Sequence, residues 1–289
     1  MHEGARAYGR RLVRCGDGVT RDVRLHVDGL YCYPVKSCGG TSLDTATVGP
    51  RGIVGDRQWM VVDETGQFVT QRELHRMALV SPRIDNGLLE LSAPEMPPLT
   101  VTPAVRKERV DVSIWSDRCV AIDEGPSAAE WLSAFLEVRC RLVRFPEDAI
   151  RRVDPEYAGP NDQVGFADGF SFLLASCASL DDLNRRLASP LPMNRFRPNI
   201  VVSGGGAFQE DRWKRIRIDG ITFGVVKPCA RCVTTTVDQK TGEAAREPLR
   251  TLATFRKVAG RGVMFGQNLI HDQPGVLHVG AEVAVLEGW

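Results

Sequence analysis

The densest run of reactive side chains is Lys227-Pro228-Cys229-Ala230-Arg231-Cys232, followed by Val233-Thr234-Thr235-Thr236-Val237-Asp238. Two cysteines at this spacing admit several chemistries. A structural zinc site needs four ligands, usually from a second Cys or His pair. The sequence has no second such pair, and His2, His26, His75, His271 and His278 are isolated. A thioredoxin-type redox pair opens a helix, whereas the β-branched run 233–237 predicts a strand. Two readings then stand. In one, Lys227 and Arg231 favour a thiolate, a soft single ligand for a metal whose other ligands come from elsewhere. In the other, both cysteines are small packed side chains in a strand turn.

A second group is a set of cations at strand ends: Lys36, Arg57, Arg72 and Arg197. In Tyr33-Pro34-Val35-Lys36-Ser37-Cys38-Gly39-Gly40 a strand ends in a polar, glycine-containing turn. Its backbone amides, the Ser37 hydroxyl and the Lys36 ammonium suit a phosphate; a solvated strand-end lysine is the plainer reading. In Asn194-Arg195-Phe196-Arg197-Pro198-Asn199-Ile200, an extended backbone would place Arg195, Arg197 and Asn199 on one face and Phe196 on the other. Arg197 with Asn199 would then clamp a phosphate or a polar ring, and a surface salt bridge is the alternative. Ser203-Gly204-Gly205-Gly206 lacks a following helix and reads as a loop rather than a phosphate cradle. No Ser-His-Asp, metal–histidine or paired-carboxylate arrangement stands out, so acid–base hydrolysis has little support.

The elements that must position these groups are mostly strands. Leu25 to Val35, Arg57 to Asp63, and Arg109 to Trp115 carry β-formers or period-two alternation. Glu64-Thr65-Gly66-Gln67 reads as a turn, with Phe68 to Gln71 as the second hairpin arm, and Asp85-Asn86-Gly87 as another hairpin turn. Pro126 to Leu136 predicts a helix, as does Ser179 to Leu187 with Ser179 as its cap. Strands return at 200–202, 215–226, 233–237 and 283–286. This order predicts an α+β, mainly β protein. A boundary falls near Pro146, after a strand at 140–145. That gives a basic tail at 1–23 and domains at 24–145 and 146–289.

The chain has 289 residues with 37 Lys+Arg against 36 Asp+Glu, long enough for a full core and too balanced for a general nucleic-acid binder. No run of about eighteen apolar residues exists, so no membrane span is expected. Arg6 to Arg24 holds six arginines. A frayed basic tail is the main reading, and a mitochondrial presequence the lesser one. Eight scattered cysteines, with Cys177 in an apolar run, suggest a reducing, cytoplasmic compartment with Cys177 as a small buried hydrophobe.

Several ordered motifs together carry a resemblance. Tyr33-Pro34-Val35-Lys36-Ser37-Cys38, Gly55-Asp56-Arg57-Gln58-Trp59-Met60-Val61-Val62 and Thr70-Gln71-Arg72 resemble the N-terminal β-barrel domain of molybdenum cofactor sulfurase C-terminal (MOSC) proteins. Arg195 to Ile200, Cys229 to Asp238 and Phe265-Gly266-Gln267-Asn268 resemble the MOSC domain itself. Within the family, the amidoxime-reducing subgroup, mitochondrial and bacterial, is the most alike. The resemblance implies an N-terminal β-barrel-like domain packed on a MOSC β-barrel domain with a few helices. It implies the molybdenum cofactor, a molybdenum held by the dithiolene of a molybdopterin and by one protein cysteine. That ligand maps to Cys232, with Cys229 beside it. The pterin and its phosphate map to Lys36, Ser37, Arg57, Arg197, Asn199 and Arg231. Asp168 falls where the family has an aspartate near the pterin, although Gly169-Phe170 follow it in place of small hydroxyl residues. The implied activity is reduction of N-hydroxylated or N-oxygenated small molecules such as amidoximes and hydroxylamines. With no dinucleotide fingerprint or ferredoxin-type cysteine cluster in the sequence, electrons are expected from a separate ferredoxin or cytochrome b5-like protein with its reductase. The alternative is a sulfur carrier or cofactor-binding protein that uses Cys232.

Overall fold

The computed structural model describes residues 24–102 and 108–289, so the basic tail of 1–23 lies outside the described residues. The fold is mainly β. A nine-stranded sheet runs, in order, through Val283–Gly288, Trp213–Ile218, Ile221–Arg231, Gly262–His271, Phe172–Ser176, Ile200–Ser203, His26–Cys32 and Thr41–Leu43, with Lys257–Val258 added to Gly262–His271. All its pairings are antiparallel except Phe172–Ser176 on Ile200–Ser203. A four-stranded antiparallel sheet follows the order Trp59–Val62, Arg141–Arg144, Asp117–Asp123, Arg109–Ile114. Two three-stranded sheets complete the β structure.

Side-chain alternation explains these elements. Trp213, Ile216 and Ile218 are buried while Arg215 and Arg217 face solvent, the period-two pattern of a strand with one wet face. The inward set packs with Phe172, Phe223, Leu269 and Leu30 into the core of the large sheet. The helix Pro126–Leu136 buries Ala128, Trp131, Leu132, Phe135 and Leu136, spaced three and four apart. Pro126 opens it where a missing N–H costs nothing, and left-handed Glu137 ends it. One glycine is sterically required at the centre: a Cβ on Gly266, at φ +79°, would sit 2.6 Å from the Leu174 carbonyl oxygen.

Five local expectations are corrected. Residues 233–237 are not a strand: Val233–Thr236 is a 3-10 turn. The Thr235 and Thr236 hydroxyls donate back to the Cys232 and Val233 carbonyls, at 2.9 and 2.7 Å, satisfying locally groups that a sheet would have paired. The second helix spans Cys177–Asn184 with Ser176 at its N-cap. Ser179 lies inside it, fully buried, donating to Glu210 Oε1 at 2.6 Å. The hairpin arm after Gln67 shrinks to a single bridge between Phe68 and Val62. Arg195, Arg197 and Asn199 do not share a strand face, because Met193–Arg195 is a 3-10 turn and Arg197 is left-handed. Cys177 is half-buried, and its thiol donates to Asp28 Oδ2 at 3.5 Å.

Candidate functional site

One pocket opens between the large sheet and the four-stranded sheet. Lys36, Ser37, Arg57, Asp168, Arg197, Asn199, Arg231 and Cys232, the eight residues singled out in the sequence, all line it, together with Cys229, Thr70, Arg72, Trp115 and Thr234. Backbone geometry marks the place as well. Among the described residues nine non-glycine positions have left-handed φ, and four of them, Ser37, Arg57, Trp115 and Arg197, line this pocket. Such conformations cost energy in side-chain-bearing residues and concentrate at functional sites.

The turn carrying Lys36 and Ser37 is zipped to the next segment by backbone bonds: Arg57 N–H to Tyr33 O, Trp59 N–H to Pro34 O and Lys36 N–H to Trp59 O, all 2.8–3.0 Å. Lys36 is therefore not a solvated strand end. It is 5% exposed, donates to Phe166 O at 2.9 Å and pairs with Asp168. Burial lowers the ammonium's pKa against the pull of Asp168. The surrounding protein would raise the Asp168 carboxyl, but Lys36 and the Trp115 indole N–H, 3.0 Å away, hold it below the usual range. The Asp168 side chain is 69% exposed, so the burial effect is weak and the pull of Lys36 prevails.

Arg57 and Arg197 both stack on Tyr33, with guanidinium carbons 4.4 and 4.3 Å from its ring centroid. Their surroundings differ. Arg57 pairs with Asp56 at 2.5 Å and donates to Asn199 Oδ1 at 3.0 Å. Burial works against its charge, and Asp56 more than restores it. Arg197 is 8% exposed, and its side chain donates to a neutral partner, the Cys38 carbonyl. Burial, and then the repulsion of Arg57, bring its pKa down to about 10. No carboxylate among the described residues forms an ion pair with it within 4.0 Å. A buried, charged guanidinium without a counter-ion is a ready anion site. Asn199 is held by protein: its oxygen also accepts from Leu173 N–H at 3.2 Å and its amide donates to Tyr31 O at 3.2 Å. It positions Arg57 while lining the wall.

The two cysteines differ in the same way. Arg231 donates to Cys229 Sγ at 2.8 Å and to Phe196 O at 2.7 Å, leaving its buried Nε without a partner. Cys232 follows the strand Ile221–Arg231 at the N-cap of the 3-10 turn. Its sulfur lies 3.3 Å from Thr234 Oγ1. Burial opposes the thiolate, yet the Thr234 hydroxyl and N–H and the Arg72 guanidinium outweigh it and lower the thiol's pKa. The turn itself is anchored from below: Arg195, buried, donates to Thr236 O at 2.9 Å and pairs with Asp238 at 2.7 Å. Arg195 thus supports the cysteine loop and takes no place in the pocket lining.

Sequence reasoning gave Trp115, Thr234 and Tyr33 no role in this pocket and left Arg72 as a bare cation. For Trp115 a signal existed: it ends an alternating strand just before Ser116-Asp117, a position where a turn is due.

The pocket sets Cys232 beside buried Arg197 and half-buried Arg57, on two joined β units. Residues 24–139 match the MOSC N-terminal beta barrel domain and residues 161–284 match the MOSC domain. The chain belongs to the family of MOSC proteins that carry this N-terminal domain. Within it, the chain is similar to "Mitochondrial amidoxime-reducing component 1" of Mus musculus, 36% identical over 275 residues, 89% of this chain and 81% of that protein. It is equally similar to the Homo sapiens protein of that name, 36% identical over 279 residues, 89% of this chain and 82% of that one. "Molybdenum cofactor sulfurase" of Homo sapiens is 29% identical over 284 residues, covering 89% of this chain but 32% of the sulfurase.

Proposed function

We propose that this protein is a molybdenum-cofactor-dependent reductase of N-hydroxylated or N-oxygenated small molecules, fed with electrons by a separate redox protein. The observation that carries the reading is the meeting of Cys232 with the uncompensated Arg197 in one pocket. The residues fit the group. Arg197, buried without a carboxylate partner, would hold a phosphate or pterin oxygen, and the unpartnered Arg231 Nε offers one more donor. Cys232 is a soft ligand for a metal whose remaining ligands the pterin provides. Ser37, Lys36 and Asp168 also line the pocket. When bound, the cofactor supplies the two-electron change that removes oxygen from an N–O bond. The chain's part would be to bind and orient: Arg197 and Arg57 would hold an anionic group, Asn199 and Asp56 fix Arg57, and the Arg195–Asp238 pair fixes the cysteine loop.

The named relatives support the reductase over the sulfur-carrier alternative, since the amidoxime-reducing components match along most of their length. The family matches support a division of the chain into domains at 24–145 and 146–289. Seven free cysteines among the described residues support a reducing compartment, cytoplasmic or, as in the relatives' names, mitochondrial. No helix among the described residues is long and apolar enough to cross a membrane.

The test is to make the holoprotein in a cofactor-competent host and follow amidine formation from an amidoxime. Reduced viologen, or a ferredoxin with its reductase, is expected to drive turnover. NADH alone is expected to give none, because no dinucleotide fingerprint occurs in the sequence. Full molybdenum content without reduction, together with persulfide sulfur on Cys232, would replace the reductase reading with the sulfur carrier.

A further inference from the structure

Trp115 occupies a position that its residue type should avoid. Ile114 pairs with Asp117, so Trp115 and Ser116 form the two-residue turn between strands Arg109–Ile114 and Asp117–Asp123. Trp115 has φ +53° there. Such turn positions favour Asn, Asp or Gly, because a large side chain is strained at positive φ. The ring gains little burial in return, being 41% exposed. A strained, exposed aromatic at a pocket mouth points to recognition.

The surroundings fix the ring and show what it takes. Phe68 packs against it edge-on, with centroids 4.8 Å apart at 62°. The indole N–H is spent on Asp168. The guanidinium of Arg72 lies 4.2 Å from the ring centroid, so a planar, delocalised cation already rests there. Trp115 and Arg72 line the Cys232 pocket and also an adjoining cleft that carries Asp63, Gln67, Phe68, Glu73 and Ser116. The ring is thus a wall shared by the reactive pocket and a cleft edged by two carboxylates.

We propose that Trp115 is a specificity-determining residue, whose exposed ring stacks the planar head of N-hydroxylated amidines and guanidines entering along the adjoining cleft. The inference rests on the reductase reading and deepens it. An amidine-derived head is flat and delocalised, like the group the ring already holds, while a simple hydroxylamine has no plane to stack. Trp115 therefore raises affinity for the first class over the second.

The experiment compares wild type, Trp115→Phe and Trp115→Ala as full-chain holoproteins, each checked for molybdenum content and thermal unfolding. KM and kcat are measured with benzamidoxime and with hydroxylamine, using reduced viologen. Separately, tryptophan fluorescence is titrated with benzamidine. Trp115→Ala is expected to raise the KM for benzamidoxime roughly three- to tenfold relative to that for hydroxylamine, with any change in kcat shared by the two substrates. Trp115→Phe keeps a ring and is expected to recover most of the affinity. Saturable quenching by benzamidine is expected in wild type and absent in both variants. Equal KM changes for both substrates, a Phe variant as impaired as Ala, or quenching that survives without Trp115 each overturn the inference. If wild type reduces neither substrate at full molybdenum content, the reductase reading fails instead, and the benzamidine titration still decides whether Trp115 binds a planar head.

Discussion

Cys232→Ser is expected to purify with molybdenum reduced more than about tenfold, while Cys229→Ser keeps most of it. The reason is local. The Cys232 sulfur sits at the mouth of a 3-10 turn, where the Thr234 hydroxyl and N–H and the Arg72 guanidinium favour its thiolate. Serine keeps the shape but offers a harder oxygen that stays protonated at neutral pH. The Cys229 sulfur, three residues earlier and inside the strand Ile221–Arg231, already accepts from Arg231. Its loss frees one Arg231 nitrogen, while the bond from the same guanidinium to Phe196 O survives. Metal analysis of the two variants beside wild type checks the prediction, with circular dichroism to show that both are folded. Equal molybdenum in wild type and Cys232→Ser would sink the assignment of the ligand.

Much of this pocket was legible in the sequence, because charge and sulfur are unusual at the ends of apolar strands. Lys36, Arg57, Arg197 and Cys232 stood out by type, and the motifs around them tied them to one family before any distance was known. What the sequence did not give was conformation. Ser37, Arg57 and Arg197 are left-handed without being Gly or Asn, so their residue types do not announce that conformation, even where, as before Gly39-Gly40, the glycines announce a turn. The run 233–237 looked like a strand because Val and Thr are β-branched, yet threonine hydroxyls bond back to their own turn and remove the need for a sheet partner. Arg197 was singled out from Arg195 by the motif resemblance, and tertiary structure adds the role of Arg195 as the loop anchor. For Trp115 the sequence marked the turn but not its place in the pocket, since its partners Phe68 and Asp168 lie 47 and 53 residues away in the chain.

The two stacked arginines are expected to fail in opposite ways. Arg57 neutralises Asp56, whose side chain is 3% exposed and also accepts from Tyr33 N–H at 2.8 Å. Arg57→Ala leaves that carboxylate buried and unpaired, so the variant is expected to lose about 3 kcal/mol of stability or more, in addition to any loss of cofactor. Arg197 has the reverse balance. Its guanidinium is buried without a carboxylate partner and is repelled by Arg57. Arg197→Met fills the same space without the charge and relieves that repulsion. In cofactor-free protein the unfolding midpoint is therefore expected to hold or rise. Cofactor retention is expected to fall by roughly 10- to 100-fold, since a charge-assisted contact in a partly buried site is worth about 1.5–3 kcal/mol. Thermal unfolding of the cofactor-free variants and pterin retained after gel filtration of the loaded ones measure the two effects separately. If Arg197→Met unfolds at a clearly lower temperature and keeps its pterin, Arg197 is a structural cation and the anion site lies elsewhere in the pocket. A stable Arg197→Met that sheds its pterin, beside an unstable Arg57→Ala, is the pattern that an uncompensated charge predicts. In that arrangement Asp56 holds Arg57 in the fold, and Arg197, with no ion-pair partner of its own, would take its counter-charge from an anion in the pocket.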